Sequence, residues 1–137
     1  MKDNQHMDRR SLLAKGGLAA AAAGLSSSTE AHAAQSVTLP KGAVTVVATV
    51  RARAGKEAEL VRATEVLVPK VRQEAGNLLC QAHRGIEEPG LLVFYEIFES
   101  AAALDAHKAT PHVKQWATDI GSLTAGPVEL KALEALA

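Results

Sequence analysis

Two histidines in the C-terminal half have the residue type and spacing that acid–base chemistry needs. His107 follows Leu104 by three residues, so it lies on or beside the apolar face of a predicted helix. His112 comes directly after Pro111, in the first turn of a second helical piece, where a helix N-terminus favours an anionic group. Because neutral imidazole is the usual proton acceptor near pH 7, both are candidate bases. The alternatives are a hydrogen-bonded core histidine at 107 and local capping or packing at 112.

Glu96 is a third candidate because of its neighbours on a predicted strand. It shares one strand face with Phe94 and Phe98. A carboxylate between two aromatic side chains is unusual unless it is paired. One interpretation is a salt bridge with Arg51 or Arg84 from neighbouring strands. The other is a general base whose pKa is raised by its surroundings.

Other classes of site are not favoured by the sequence. The two histidines are five residues apart, which differs from the i, i+4 spacing of a helical metal pair, so no metal site is predicted. We find no Gly-rich phosphate loop, no Ser-His-Asp order and no Cys-x-x-Cys motif. The single cysteine, Cys80, cannot form an intramolecular disulfide and is predicted to be a small buried hydrophobe in a strand.

The charge balance gives no sign of a strongly basic surface on this protein. The 15 basic and 15 acidic residues give a formal net charge of zero. After residue 33 the balance is 11 basic against 12 acidic residues, close to −1. No basic face is implied, so neither nucleic acid nor an anionic membrane surface is an expected partner.

The first 33 residues resemble a twin-arginine export signal. Residues 8–15 read DRRSLLAK and are followed by an Ala-rich run, 16–25, that is too short for a transmembrane helix. Residues 31–33, AHA, fit a small-x-small cleavage site without a lipid-accepting cysteine, so no membrane anchoring is expected after cleavage. This predicts a periplasmic or secreted protein; the alternative is a disordered tail that happens to contain Arg-Arg. The predicted division is signal peptide 1–33, linker 34–42 and folded domain 43–137.

Four strands are predicted from β-branched runs and turn signals. Residues 43–53 are rich in the β-branched residues Val and Thr, which is typical of a strand. The turn Glu87-Glu88-Pro89-Gly90 predicts that the two segments beside it pair as antiparallel strands. The predicted strands cover 43–53, 77–85, 91–99 and 128–133.

Two helical regions separate these strands. Apolar residues recur at helical spacing over 57–75, with Gly76 as the predicted C-cap and a kink expected at Pro69. Ser100 is the predicted N-cap of a second helix to residue 108. Thr110-Pro111 predicts a fresh start, with the helix resuming over 111–122.

The resulting order, β-α-β-β-α-β, predicts an α+β ferredoxin-like fold with a four-stranded antiparallel sheet and both helices on one face. Strands one and three carry apolar residues on both faces, Tyr95 among them. The face without helices therefore needs cover, and we expect a homodimer that buries it, as a dimeric α+β barrel.

Several segments together resemble the antibiotic biosynthesis monooxygenase family. They are YEIFES at 95–100, ALDAH at 103–107, TPH at 110–112, EAGN at 74–77 and the strand end RARAGK at 51–56. The resemblance spans about 44–133. It implies a dimer with a small cavity between helices and sheet, and in many members an oxygenase that needs no cofactor and acts on quinols or polyketide phenols.

For this chain, the resemblance implies a monooxygenase that oxidises a small quinol-like or hydroxylated aromatic substrate with O₂ and without bound metal or flavin. The implied residues are His107, Glu96 and His112 for catalysis and Phe98, Phe94, Arg51 and Trp116 for the substrate cavity. Two alternatives stay open. One is an isomerase that abstracts a proton next to a carbonyl, and the other is a binding module without catalysis.

Within the family, HKATPH at 107–112 and TAGP at 124–127 look most like the branch that contains the autoinducer-2-phosphate isomerase. A haem-degrading branch uses an Asn, a Trp and a His, where this chain has Ala48, His107 and Ala117. Haem degradation is therefore not expected. Many quinol-oxidising relatives carry Trp where Phe98 stands, so a Trp-dependent mechanism is not expected either.

Overall fold

A computed structural model describes residues 37–136 of the chain. The predicted signal peptide and the first residues of the predicted linker lie outside this range. Within it, no helix is both long enough and apolar enough to cross a membrane. The elements are β1 (Val44–Arg51), α1 (Glu57–Val71), β2 (Asn77–Arg84), β3 (Leu91–Phe98), α2 (Ala101–Ala109), α3 (Pro111–Asp119), a 3₁₀ turn (Ile120–Ser122) and β4 (Glu129–Glu134).

The four strands form one sheet in the order β2-β3-β1-β4, with every neighbouring pair antiparallel. This is the predicted ferredoxin-like arrangement, which is confirmed. The register sets Glu96 of β3 between Val46 of β1 and Cys80 of β2. Both of these neighbours are buried, Val46 completely and Cys80 with 1% of its surface exposed, so the register sets the environment of Glu96.

The helices cover the sheet face that carries Phe94, Glu96 and Phe98. On β1, the buried residues on this face are Val46, Ala48 and Val50. On β3, they are Leu92, Phe94, Glu96 and Phe98. From α1, the buried residues are Leu60, Thr64, Leu67, Val68 and Val71. A large apolar cluster gathers around Val50 and Leu92, and a smaller one joins Val46, Phe98 and Leu104. The opposite sheet face leaves Tyr95 40% exposed.

The predicted caps of the second helical region are confirmed. The Ser100 side chain accepts a hydrogen bond from the Ala103 backbone N–H at 3.1 Å, which begins α2. The Thr110 hydroxyl accepts one from the Val113 N–H at 3.4 Å, and Pro111 occupies the first position of α3. The chain therefore breaks between His107 and His112 as the sequence predicted, and the two helices direct these side chains independently.

The end of α1 differs from the prediction. The helix ends at Val71, four residues before the predicted end at residue 75. The helix passes through Pro69, and the turns after Val71 tighten: the Glu74 N–H donates to the Val71 carbonyl at 3.0 Å. Gly76 is consequently not the C-cap of α1. It has a positive φ of 83° in the turn that leads into β2.

Gly76 also permits a close approach of α2. A Cβ atom at this position would lie 2.7 Å from the Ala103 Cβ and 3.1 Å from a Glu99 carboxylate oxygen. Any side chain here would push the α1–β2 turn away from α2. The glycine therefore brings Glu74, two residues earlier, within reach of the side chains of α2 and α3.

Candidate active site

A cavity of about 180 Å³ lies between the sheet and the helices. Its wall is mainly apolar, and three polar side chains reach it: Glu96, His107 and Lys108. The remaining lining residues are Ala48, Leu67, Phe94, Val113, Trp116, Ala117, Val128 and Leu130. An apolar pocket with a few convergent polar groups is the usual form of a small-molecule site.

His107 lies near the C-terminal end of α2 with its side chain 10% exposed. Its ring packs against Phe98, with the ring centroids 4.8 Å apart. The Thr110 hydroxyl donates to the His107 carbonyl at 2.8 Å and so fastens the end of the helix. The imidazole is thus held between an aromatic ring and the cavity.

Glu74 is hydrogen-bonded to His107. The sequence analysis did not predict it as a site residue. Its carboxylate lies 2.9 Å from His107 Nδ1 through Oε2 and 2.5 Å from His112 Nε2 through Oε1. The two histidines, predicted separately, are therefore brought together by one carboxylate. Glu74 was missed because it was assigned to the last turn of α1. The sequence signal for Glu74 was the EAGN segment at 74–77, which carries part of the family resemblance.

Glu96 is buried, with 6% of its surface exposed. The Cys80 thiol donates to Glu96 Oε1 at 3.4 Å. Burial raises the pKa of Glu96 above its ordinary value, and the neighbouring His107 and the Cys80 hydrogen bond oppose that rise only in part. The predicted alternative, a salt bridge with Arg51 or Arg84, is not formed within residues 37–136, since Arg51 pairs with Glu88 instead.

Cys80 occupies the position predicted for it, buried in a strand with 1% of its surface exposed. Burial, followed by the charge of Glu96, raises the pKa of the Cys80 thiol to about 12. The thiol therefore stays protonated at neutral pH and serves as a hydrogen-bond donor. A thiolate nucleophile is not favoured here.

The predicted cavity residues separate into two groups. Phe94 and Trp116 line the cavity and contact each other edge to face, with ring centroids 5.3 Å apart. Phe98 is fully buried behind His107 and is not part of the lining. Arg51 points away from the cavity, because it alternates with the inward-facing Val50, and it is more than half exposed. The structure therefore does not bring Arg51 to this site.

His112 also lies outside the cavity lining. It borders a neighbouring groove between α1 and α3, together with Lys70, Gln115 and Asp119. Its side chain is 23% exposed, compared with 10% for His107. Across residues 37–136, no group of three or more His, Cys, Asp and Glu side chains is arranged to hold a metal ion. The arrangement can accept a proton at an apolar wall and hold the resulting imidazolium beside a carboxylate.

The model of the family described as antibiotic biosynthesis monooxygenase matches residues 43–119. These residues contain the cavity-lining parts of β1, α1 and β3 and both histidines. The chain belongs to this family. The match covers more than half of the chain and agrees with the resemblance in the sequence motifs.

Solved structures share the fold. A candidate antibiotic biosynthesis monooxygenase from Caulobacter crescentus is 31% identical, with a TM-score of 0.66 over 70% of this chain and 92% of that one. PA3566 from Pseudomonas aeruginosa is 29% identical, with a TM-score of 0.66 over 70% and 96%. Rv0793 from Mycobacterium tuberculosis is 26% identical, with a TM-score of 0.66 over 70% and 97%.

A curated relative, an uncharacterised protein of Synechocystis, is 24% identical over 88 residues. The aligned part is 64% of this chain and spans only 60% of the length of that relative.

Proposed function

We propose that this protein is a monooxygenase that oxidises a small hydroxylated aromatic or quinol-like compound with O₂, the substrate supplying the electrons. The observation that carries the proposal is His107 at the wall of an apolar cavity, beside the buried Glu96. An apolar cavity strengthens the effect of the few charges inside it and excludes water from a reactive anion. Family membership supports the reaction class.

The first step is a proton transfer. His107 Nε2 accepts the proton of a substrate hydroxyl, which leaves an electron-rich anion in the cavity. The anion reduces O₂. One oxygen atom becomes bonded to a ring carbon, and the second oxygen atom leaves as water with the two hydrogen atoms that the substrate loses in total. Glu96, whose pKa is raised by burial, is the second group that can exchange a proton there.

The dimensions of the cavity suggest a substrate with one aromatic ring. An apolar protein cavity of about 150 Å³ holds benzene, and the volume here is about 180 Å³. Phe94 and Trp116 offer aromatic surfaces to such a ring.

The same proposal includes export through the twin-arginine route. It also includes pairing of two copies through the uncovered sheet face. Pairing is supported by the exposure of Tyr95 and Leu133, which are 40% and 47% exposed. Both lie on the face opposite the helices. A sheet face of this kind, with large apolar residues in contact with water, favours association.

The test is oxygen uptake by the purified full chain with a panel of single-ring quinols and hydroxylated aromatics, after its absorbance spectrum has been recorded. We expect uptake above the autoxidation blank from a protein without a visible absorption band. His107→Ala should lower turnover by about 10²–10⁴-fold, the usual contribution of a general base. His83→Ala, which removes an exposed histidine of β2, is the matched control and should leave turnover unchanged.

The outcomes separate the alternatives. Turnover and thermal stability lost together in His107→Ala would indicate the packing role of that histidine. Proton exchange from a carbonyl compound without oxygen uptake would indicate the isomerase. Binding that survives replacement of both His107 and Glu96, with no reaction, would indicate a binding module. A visible cofactor band would contradict the proposed source of electrons.

A further inference from the structure

The turn between α1 and β2 places a carboxylate between two imidazole rings from different helices. Glu74 Oε2 lies 2.9 Å from His107 Nδ1, and Glu74 Oε1 lies 2.5 Å from His112 Nε2. The Glu74 and His107 side chains are each 10% exposed, whereas His112 is 23% exposed. The three groups therefore extend from the cavity wall towards the solvent-facing groove between α1 and α3.

This geometry restricts the tautomer of His107. An ionised carboxylate only accepts hydrogen bonds, so the nitrogen that faces it must carry the proton. For His107 that nitrogen is Nδ1. In the neutral ring the lone pair then belongs to Nε2, which makes no hydrogen bond to any residue in the described range. The nitrogen left to meet a ligand is thus the one that can accept a proton.

His112 has a different relation to the same carboxylate. It donates from Nε2 to the second oxygen, so both oxygens of Glu74 are engaged. A carboxylate held at both oxygens cannot rotate away from His107 without breaking a part-buried, charge-assisted hydrogen bond. His112 therefore anchors Glu74, although it does not line the cavity itself.

We propose that Glu74 is the positioning residue of this site. It holds His107 with Nδ1 protonated and Nε2 free towards the cavity, and it balances the charge of the imidazolium that forms when Nε2 takes a proton. His112 keeps the Glu74 carboxylate in place. The catalytic consequence rests on the proposed function, whereas the tautomer of His107 is a property of the resting protein.

The direct test is the tautomer of His107 in the ¹⁵N-histidine-labelled full chain. Long-range ¹⁵N–¹H correlation spectra distinguish a protonated Nδ1 from a protonated Nε2, and the loss of one signal in His107→Ala assigns it. The spectra are recorded over a pH series, and the tautomer is determined from those in which the His107 ring is neutral. We expect Nδ1–H in the wild-type chain. In Glu74→Gln the amide N–H can donate to Nδ1, and we expect the population to move to Nε2–H.

Three further variants make the test specific. Glu74→Asp keeps the charge and should restore most of the Nδ1–H form. His112→Gln should weaken the preference, because the anchor of the carboxylate is lost. Glu65→Gln removes an exposed carboxylate of α1 and should leave the His107 signals unchanged. With an active substrate, Glu74→Gln should lower kcat by about 10²-fold or more with little effect on KM, as expected for a base in the wrong tautomer.

The results separate this inference from the proposed function. A wild-type His107 protonated at Nε2, or a tautomer that is the same in Glu74→Gln, would overturn the positioning role, whatever the activity. If the tautomer moves as expected but the wild-type chain takes up no oxygen, the positioning role stands and the monooxygenase proposal fails. The first of these outcomes is measured on the wild-type chain, and His107→Ala serves only to assign its signal.

Discussion

The two ends of the layer between sheet and helices are built from different chemistry. At one end, Val50 pairs with Leu92 across β1 and β3, and Leu60 closes over them. At the other end, Val46 pairs with Glu96, and His107 and Glu74 lie nearby. Val50, Leu92 and Leu60 are at most 3% exposed and Glu96 is 6% exposed, yet of these four buried residues only Glu96 is ionisable.

The difference indicates that one end of this pair of strands serves stability and the other end serves chemistry. The apolar end gains free energy from burial and close packing. The polar end carries the cost of taking carboxyl groups out of water, which is seen in the raised pKa of Glu96. A raised pKa of this kind is common where a buried group serves a chemical purpose, which supports the polar end as the candidate active site.

The largest effect on stability is expected at the apolar end. Leu60 is completely buried, so Leu60→Ala should lower the free energy of unfolding by about 2–5 kcal/mol through lost burial and a residual cavity. Val66→Ala, at a position of the same helix that is 61% exposed, should change it by less than about 0.5 kcal/mol. Denaturant titrations of the full chain measure both. Similar losses in the two variants would contradict the assignment of the core.

A smaller but more specific effect is expected at Gly76, which supports the polar end. Gly76 and Gly55 have similar positive φ values of 83° and 80°. Alanine at either position costs about 1–2 kcal/mol of backbone strain. At Gly55 an added Cβ meets nothing within 4 Å, whereas at Gly76 it is pressed against the Ala103 Cβ. Gly76→Ala should therefore lower the free energy of unfolding by a further ~1–3 kcal/mol.

Gly76→Ala should also weaken the Nδ1–H preference of His107, because the turn that carries Glu74 is displaced. The same unfolding titrations and histidine spectra measure the two consequences. Equal losses of stability in Gly55→Ala and Gly76→Ala would show that the close approach of α2 is unimportant.

The third effect is a dependence of stability on pH that arises from Glu96. Because burial raises the pKa of Glu96 above the ordinary 4.5, the folded state holds the proton more tightly than the unfolded state. The contribution of Glu96 to stability is complete below pH 4.5 and is lost as pH rises through the raised folded value. Glu96→Gln, which cannot ionise, should not show this loss.

The measurement is the free energy of unfolding of the wild-type and Glu96→Gln chains at a series of pH values from about 4 to 8, around the ordinary carboxyl pKa. As pH rises, the free energy of unfolding of the wild-type chain should fall relative to that of the variant. A difference that is independent of pH, or one that grows in favour of the wild-type chain, would mean that Glu96 does not titrate as a buried carboxyl. Glu65→Gln controls for the removal of one charge.

Much of the fold could be predicted because its signals are local. The caps at Ser100 and Thr110 depend on residues within three positions of each other, and the two faces of β3 follow from alternation. The end of α1 was predicted wrongly, since the chain leaves the helix after Val71 and turns through Gly76, which lies close to α2. Sequence spacing does not contain that contact.

By itself the sequence determined the order of the elements, the buried face of the sheet and the chemical types available to the site. These depend on periodicity and on side chains close together in the chain. Only the tertiary structure decided that Glu74 joins His107 to His112, that Glu96 meets Cys80 and not an arginine, and that Arg51 lies outside the cavity. These pairings join residues 16 to 38 positions apart. Their partners are chosen by the register of the strands and the packing of the helices, because hydrogen bonds depend on distances in space and not on positions along the chain.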